Sequence, residues 1–93
     1  MKEENPVIYK QLAIGDVLRY VGEEEIATLN DKSGIILSSH RNIKPNEILI
    51  LLTIAVIDKD RWPLRLELLT TTGISWLITD ELELAEIFRK IEP

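Results

Sequence analysis

Few residues of this 93-residue chain could do chemistry, and they gather in two stretches. In the first, Ser38-Ser39-His40-Arg41, two hydroxyls stand beside the sole histidine. An imidazole activates a hydroxyl only when the fold brings the two together with an orienting group, and adjacency in sequence does not build that relay. His40 is therefore read as a loop residue facing water. In the second, Asp58-Lys59-Asp60-Arg61, two carboxylates offer hard oxygen ligands to Mg²⁺ or Ca²⁺. No EF-hand spacing follows, Lys59 and Arg61 oppose a cation, and turn chemistry already accounts for both aspartates. A small enzyme or metal-dependent activity would need Asp58, Asp60 and His40 to converge on one pocket. That is the alternative reading; the leading one is non-catalytic, with no metal and no cofactor.

Other chemistries are closed off by what the chain lacks. Its four glycines, at 15, 22, 34 and 73, never fall at a phosphate-cradling spacing, so no nucleotide-binding loop is present. The absence of cysteine excludes a thiol nucleophile, a disulfide scaffold and a zinc ribbon, and fits a reducing compartment. Eleven basic residues are dispersed among sixteen acids for a net charge of −5. Phosphate binding needs clustered Lys and Arg, so a nucleic-acid-binding barrel is a poor reading.

Recognition of a protein is better served. Trp62-Pro63, flanked by Arg61 and Arg65, has the composition of an interface hot spot. The competing reading folds Trp62 over the open end of the core. Trp76, between Ile74 and Ile78, reads as a core residue, and Glu23-Glu24-Glu25 as a solvated acidic loop. Ile87 and Phe88 join the interface candidates because they lie on the apolar stripe of a C-terminal amphipathic segment.

The elements that must position these residues are mostly strands. Pro6–Leu12 is either one helical turn or an extended lead-in. Val17–Val21 reads as a strand, and Ile26–Leu29 and Ile35–Ser38 read as a hairpin across Asn30-Asp31-Lys32-Ser33-Gly34. His40–Glu47 is the next loop. Ile48–Ile57 is a strand apolar on both faces, Leu64–Leu68 alternates leucines with charges, and Ile74–Ile78 follows a turn at Thr70–Gly73. Residues 80–91 are either a helix or a closing strand. Asp80 and Glu83 make a capping-box-like start, Leu84, Ile87, Phe88 and Ile91 recur at helical spacing, and Arg89 and Lys90 suit a last turn. Leu82 and Leu84 would serve a strand equally well.

Close spacing of short strands implies a mainly β fold: a small antiparallel barrel or a strongly bent sheet in one domain spanning 1–93. Two segments resemble small SH3-like barrels of bacterial accessory and regulatory proteins. Gly15-Asp16-Val17-Leu18-Arg19-Tyr20-Val21 is similar to their opening strand, and Trp76-Leu77-Ile78-Thr79-Asp80-Glu81-Leu82-Glu83 to their last strand, tight turn and closing Leu-Glu. The resemblance implies a barrel over about residues 15–84. It implies no ligand, because ribosome- and RNA-associated members carry a second glycine where three glutamates follow Gly22. The aromatic groove of peptide-binding SH3 domains is also missing.

The expected setting is cytoplasmic and free of membrane. Met1-Lys2-Glu3-Glu4-Asn5-Pro6 does not read as a signal peptide, and the ten-residue apolar run Ile48–Ile57 is too short to span a bilayer as a helix. Isoleucine and leucine number 14 each, more aliphatic surface than so short a chain readily hides. A strand apolar on both faces needs cover on both. The expectation is an interaction module or accessory subunit that self-associates or binds a protein partner, through Ile48–Ile57 or the face of residues 84–91.

Overall fold

The computed structural model describes residues 3–29, 41–57 and 63–92. In chain order the strands are β1 (Glu3–Pro6), β2 (Val17–Tyr20), β3 (Ile26–Thr28), β4 (Arg41–Ile43), β5 (Ile48–Val56), β6 (Leu64–Thr70) and β7 (Gly73–Thr79), followed by helix α1 (Glu81–Ile87) and β8 (Phe88–Glu92). A 3-10 turn at Tyr9–Gln11 links β1 to β2. The fold is mainly β. Six strands form one sheet in the order β1-β8-β2-β5-β6-β7, antiparallel throughout, and β3 and β4 form a separate two-stranded ribbon. Among the described residues the two outer strands of the sheet, β1 and β7, do not pair, so the sheet is not closed into a barrel.

The meander β5-β6-β7 follows directly from its sequence. In β6 the alternation buries Leu64, Leu66 and Leu68 while Arg65 and Glu67 stay half-exposed and Leu69 faces outward. A two-residue turn at Thr71-Thr72 sets the register, pairing Thr70 with Gly73 and Leu68 with Ser75. Gly73 has φ 126°, a backbone open to glycine at no steric cost. The Thr70 hydroxyl donates to the Gly73 carbonyl at 2.7 Å, and the Glu47 carboxylate accepts from Thr71 N at 3.2 Å, stapling this turn to the β4–β5 turn.

One expected loop is a strand. Arg41–Ile43 pairs with β3, Ile26 opposite Ile43, while the expected hairpin strand Ile35–Ser38 lies outside the described residues. The pull is burial: Ile43 is fully inside the core. Leu29, just past β3, exchanges backbone hydrogen bonds of 2.8 and 3.0 Å with Trp76, hanging the ribbon on the free edge of β7.

Residues 80–91 are helix and then strand. Asp80 caps α1, its carboxylate accepting from Glu83 N at 2.8 Å, and Glu83 in turn accepts from the Thr79 hydroxyl at 2.7 Å. The helix ends at Ile87, where Phe88 turns extended with ψ 151° and β8 slots between β1 and β2. Arg89 still serves the helix from the strand, its guanidinium donating to the Ala85 carbonyl at 2.9 Å. Cations are favoured at that end of a helix.

The core lies on one face of the sheet. Leu18, Leu49, Leu51, Leu64, Leu66, Leu68 and Phe88 are fully buried there, and Leu84 of α1 and Ile43 of the ribbon close over them. Tyr20 packs its ring 5.9 Å from that of Phe88 and donates its hydroxyl to the Glu24 carbonyl. Gly22 makes this placement possible: a Cβ there would overlap the Tyr20 ring and hydroxyl. Gly22→Ala should therefore destabilise by about 1–3 kcal/mol, the usual cost of overpacking. Urea unfolding checks it, and an unchanged midpoint contradicts the packing.

Burial, then the Glu24 and Glu83 carboxylates, raise the Tyr20 pKa above its usual 10.0. For Lys90, burial lowers the pKa, but Asp16 and Glu92 outweigh it and leave it above 10.5. Both groups hold their protons more tightly folded than unfolded. Stability must then fall as pH rises from about 10 through the raised values. Tyr20→Phe should cost about 1 kcal/mol at pH 8 through the lost hydrogen bond, yet decline less steeply above pH 10. Urea unfolding from pH 8 to 11 decides this; equal alkaline slopes would remove Tyr20 from the account.

Candidate interaction surface

The opposite face of the sheet is also rich in aliphatics. Directly paired residues of antiparallel strands share a face. Following the pairs across the sheet, Ile91 meets Val17, Val17 meets Ile50, Ile50 meets Leu69 and Leu69 meets Ile74. One unbroken aliphatic row therefore crosses five strands, β8-β2-β5-β6-β7. Ile48 and Ile78 widen it at either side, and with Ile50, Leu69 and Ile74 they are 37–46% exposed. The inner neighbours Leu49, Leu51 and Leu68 are 0% exposed, so the two faces of the same strands have opposite fates.

Polar groups frame the row. Arg19 and Arg89 pair across β2 and β8 at one end, and Arg19 donates to the Asn46 side chain at 3.1 Å. On the other side Glu67 and Trp76 are cross-strand neighbours, with the indole N–H donating to the Glu67 carboxylate at 3.0 Å. Arg65, opposite Ala55 and Ile78, is half-buried on the same face. Leu52 forms a bulge between Leu51 and Thr53, which re-registers β5 against β6 and keeps Thr53 outward opposite Glu67.

Trp76 is thus not a core residue. It stands half-buried on the outer face with Ile74 and Ile78, while Ser75, Leu77 and Thr79 point inward. The register decides: a two-residue turn places Ser75 opposite inward Leu68, so Trp76 must face out. The Ser75 hydroxyl consequently lies buried with no hydrogen-bond partner among the described residues.

The interface candidates are divided by the fold. Arg65 belongs to the outer face. Pro63 is half-buried just before β6, its carbonyl accepting from Ile57 N at 3.2 Å. Phe88 is fully buried, and Ile87 packs half-buried against the same core, so this pair serves the interior rather than the surface carrying Arg65. Arg61 and Trp62 lie outside the described residues, as do His40, Asp58 and Asp60. Sequence reasoning missed Ile91, Val17, Leu69 and Ile74 as a set; the signal was Leu69, which breaks the alternation of β6.

A concavity of about 320 Å³ lies between β1, β8 and the 3-10 turn. It is lined by Asn5, Pro6, Ile8, Gln11, Lys90 and Glu92. Lys90 there is ion-paired with Asp16 and Glu92, both at 3.4 Å, so its charge is already compensated within the chain. No group of three or more His, Cys, Asp or Glu with metal-binding geometry occurs among the described residues. No helix among them is long and apolar enough to cross a membrane.

No family model matches the chain, no curated protein matches it in sequence, and no solved structure matches it in fold.

The two faces should respond differently to substitution. Leu69→Thr or Ile74→Thr removes only partly exposed aliphatic surface and should cost under about 1 kcal/mol, the range of cross-strand pair effects. Leu68→Ala, one position from Leu69 on the buried face, should cost about 2–5 kcal/mol. Denaturant unfolding of the three variants checks the assignment, and a large loss at Ile74 would show that the row belongs to a core.

Proposed function

We propose that this chain is a non-catalytic protein-interaction module that works by presenting the outer face of its sheet to another protein surface. The observation that carries this is the aliphatic row Ile91-Val17-Ile50-Leu69-Ile74, continuous across five strands. Its most open members, Ile50, Leu69 and Ile74, with Ile48 and Ile78, leave more than a third of each residue in water, and a row of aliphatics on a domain surface is often functional. Arginines at the rim and Trp76 beside the row match the enrichment of Arg and Trp in binding hot spots. The likeness to small SH3-like barrels belongs to the same proposal. The backbone bridge from Leu29 to β7 and the helix between the last strands fit a barrel-like module, although the strand order of the sheet is open.

Size-exclusion chromatography of native lysate tests the reading. The wild-type chain should elute in an assembly larger than its 10.7 kDa. Ile50→Asp should release it, with its circular dichroism unchanged because the site is solvent-facing. Elution of the wild type as the free chain, or an assembly indifferent to Ile50→Asp, contradicts it.

A further inference from the structure

We infer that the outer face binds a second copy of this chain, the two sheets stacking face to face about a two-fold axis that runs along β5. The inference rests on the reading of that face as an interaction surface and names its occupant.

The first argument is symmetry. In an isologous contact, residue i of one copy meets residue j of the other and the reverse, so the patch must match itself. The aliphatic row does so about β5: Ile50 at the centre, Val17 and Ile91 on one side, Leu69 and Ile74 on the other. A half-turn about β5 lays Ile50 on the partner's Ile50, Val17 on the partner's Leu69 and Ile91 on the partner's Ile74. Every aliphatic of the row then meets an aliphatic, within the roughly 30° offset of stacked sheets.

Charge follows the same operation. The axis places β2 over the partner's β6, so Arg19 comes to the Thr71 end of that strand. There the Glu47 carboxylate is held by Thr71 N and Oγ1, both at 3.2 Å. The cationic rim of one copy thus faces a carboxylate of the other, and the row between carries no charge.

The overlap is small, and the edges leave the face as the contact. β2 and β8 flank Ile48–Ile50 while β6 and β7 flank Ile50–Val56, so the half-turn overlaps the row and its Thr71 side, a strip of roughly 20 by 10 Å at about 4.8 Å per strand. Stacking two such strips covers on the order of 400–600 Å² in total, below a standard specific interface, so the contact is a weak and reversible one. The edges are poor competitors: β1 is four residues long and ends in Pro6, and Leu29 already takes the Trp76 backbone groups on β7.

Sedimentation of the purified chain from about 1 to 200 μM should show a monomer–dimer equilibrium, as expected of so small an interface. Ile50→Asp places two carboxylates on the axis and should weaken it at least tenfold. Leu82→Asp, on an 80% exposed position of α1, should leave it unchanged. The chain has no cysteine, so Thr53→Cys, outward on β5 and near the axis, gives one reactive thiol per copy. A bismaleimide spanning about 10 Å, the spacing of stacked sheets, should join the Thr53→Cys copies and not those of Leu82→Cys. A monomer at 200 μM, a dimer indifferent to Ile50→Asp, or no Thr53→Cys product each overturns the second copy. If the purified chain is monomeric while Ile50→Asp still dissolves the assembly in lysate, the occupant is wrong and the interaction face stands. If neither is seen, both fall.

Discussion

A sheet has two faces, and the described elements of this chain cover one of them. Everything else in the structure depends on that constraint. The cover on the inner face is assembled from small pieces: the seven-residue helix α1 with Leu84, the β3–β4 ribbon with Ile43, and the segment around the 3-10 turn with Val7. Each is anchored by short-range chemistry, the Asp80 cap for the helix and the Leu29–Trp76 bridge for the ribbon. β5, near the middle of the sheet, shows the consequence most plainly. Its inward Leu49 and Leu51 are sealed, while its outward Ile48 and Ile50 face water.

Much of the fold was legible because alternation and turn chemistry are local. β2, β5, β6, β7 and the Asp80–Glu83 cap all follow from residues within a few positions of one another. What escaped depended on partners distant in sequence. Arg41–Ile43 lacks a strand pattern of its own and becomes one because Ile26 pairs with Ile43. Leu84, Ile87 and Phe88 fit a continuous helix, but β8 has β1 and β2 to pair with, and two strands' worth of backbone hydrogen bonds end the helix at Ile87. Trp76 escaped for another reason: Ile74, Trp76 and Ile78 are all apolar while Ser75 on the other face is polar, so hydrophobicity alone points the wrong face inward. The two-residue turn and the inward leucines of β6 could have oriented the strand.

The candidate surface was visible in outline only. A doubly apolar Ile48–Ile57 announced that two faces needed cover, yet the row itself is a product of register, drawing one residue from each of five strands. Phe88 and Ile87 looked equally suited to recognition by composition. Burial against Tyr20 and Leu84 gives them to the core instead. Edge protection completes the picture. A chain that blunts β1 with Pro6 and occupies part of β7 with Leu29 offers little free backbone at these sheet edges, which leaves side chains of the outer face as its accessible apolar surface.

Covalent carbene footprinting of the purified chain, read by mass spectrometry at low and high protein concentration, tests the central claim most directly. If the outer face is an interface, labelling of Ile50 and Leu69 falls as concentration rises while labelling of Leu82 stays constant. Labelling of Ile50 and Leu69 that is the same across the whole range would contradict self-association through this face.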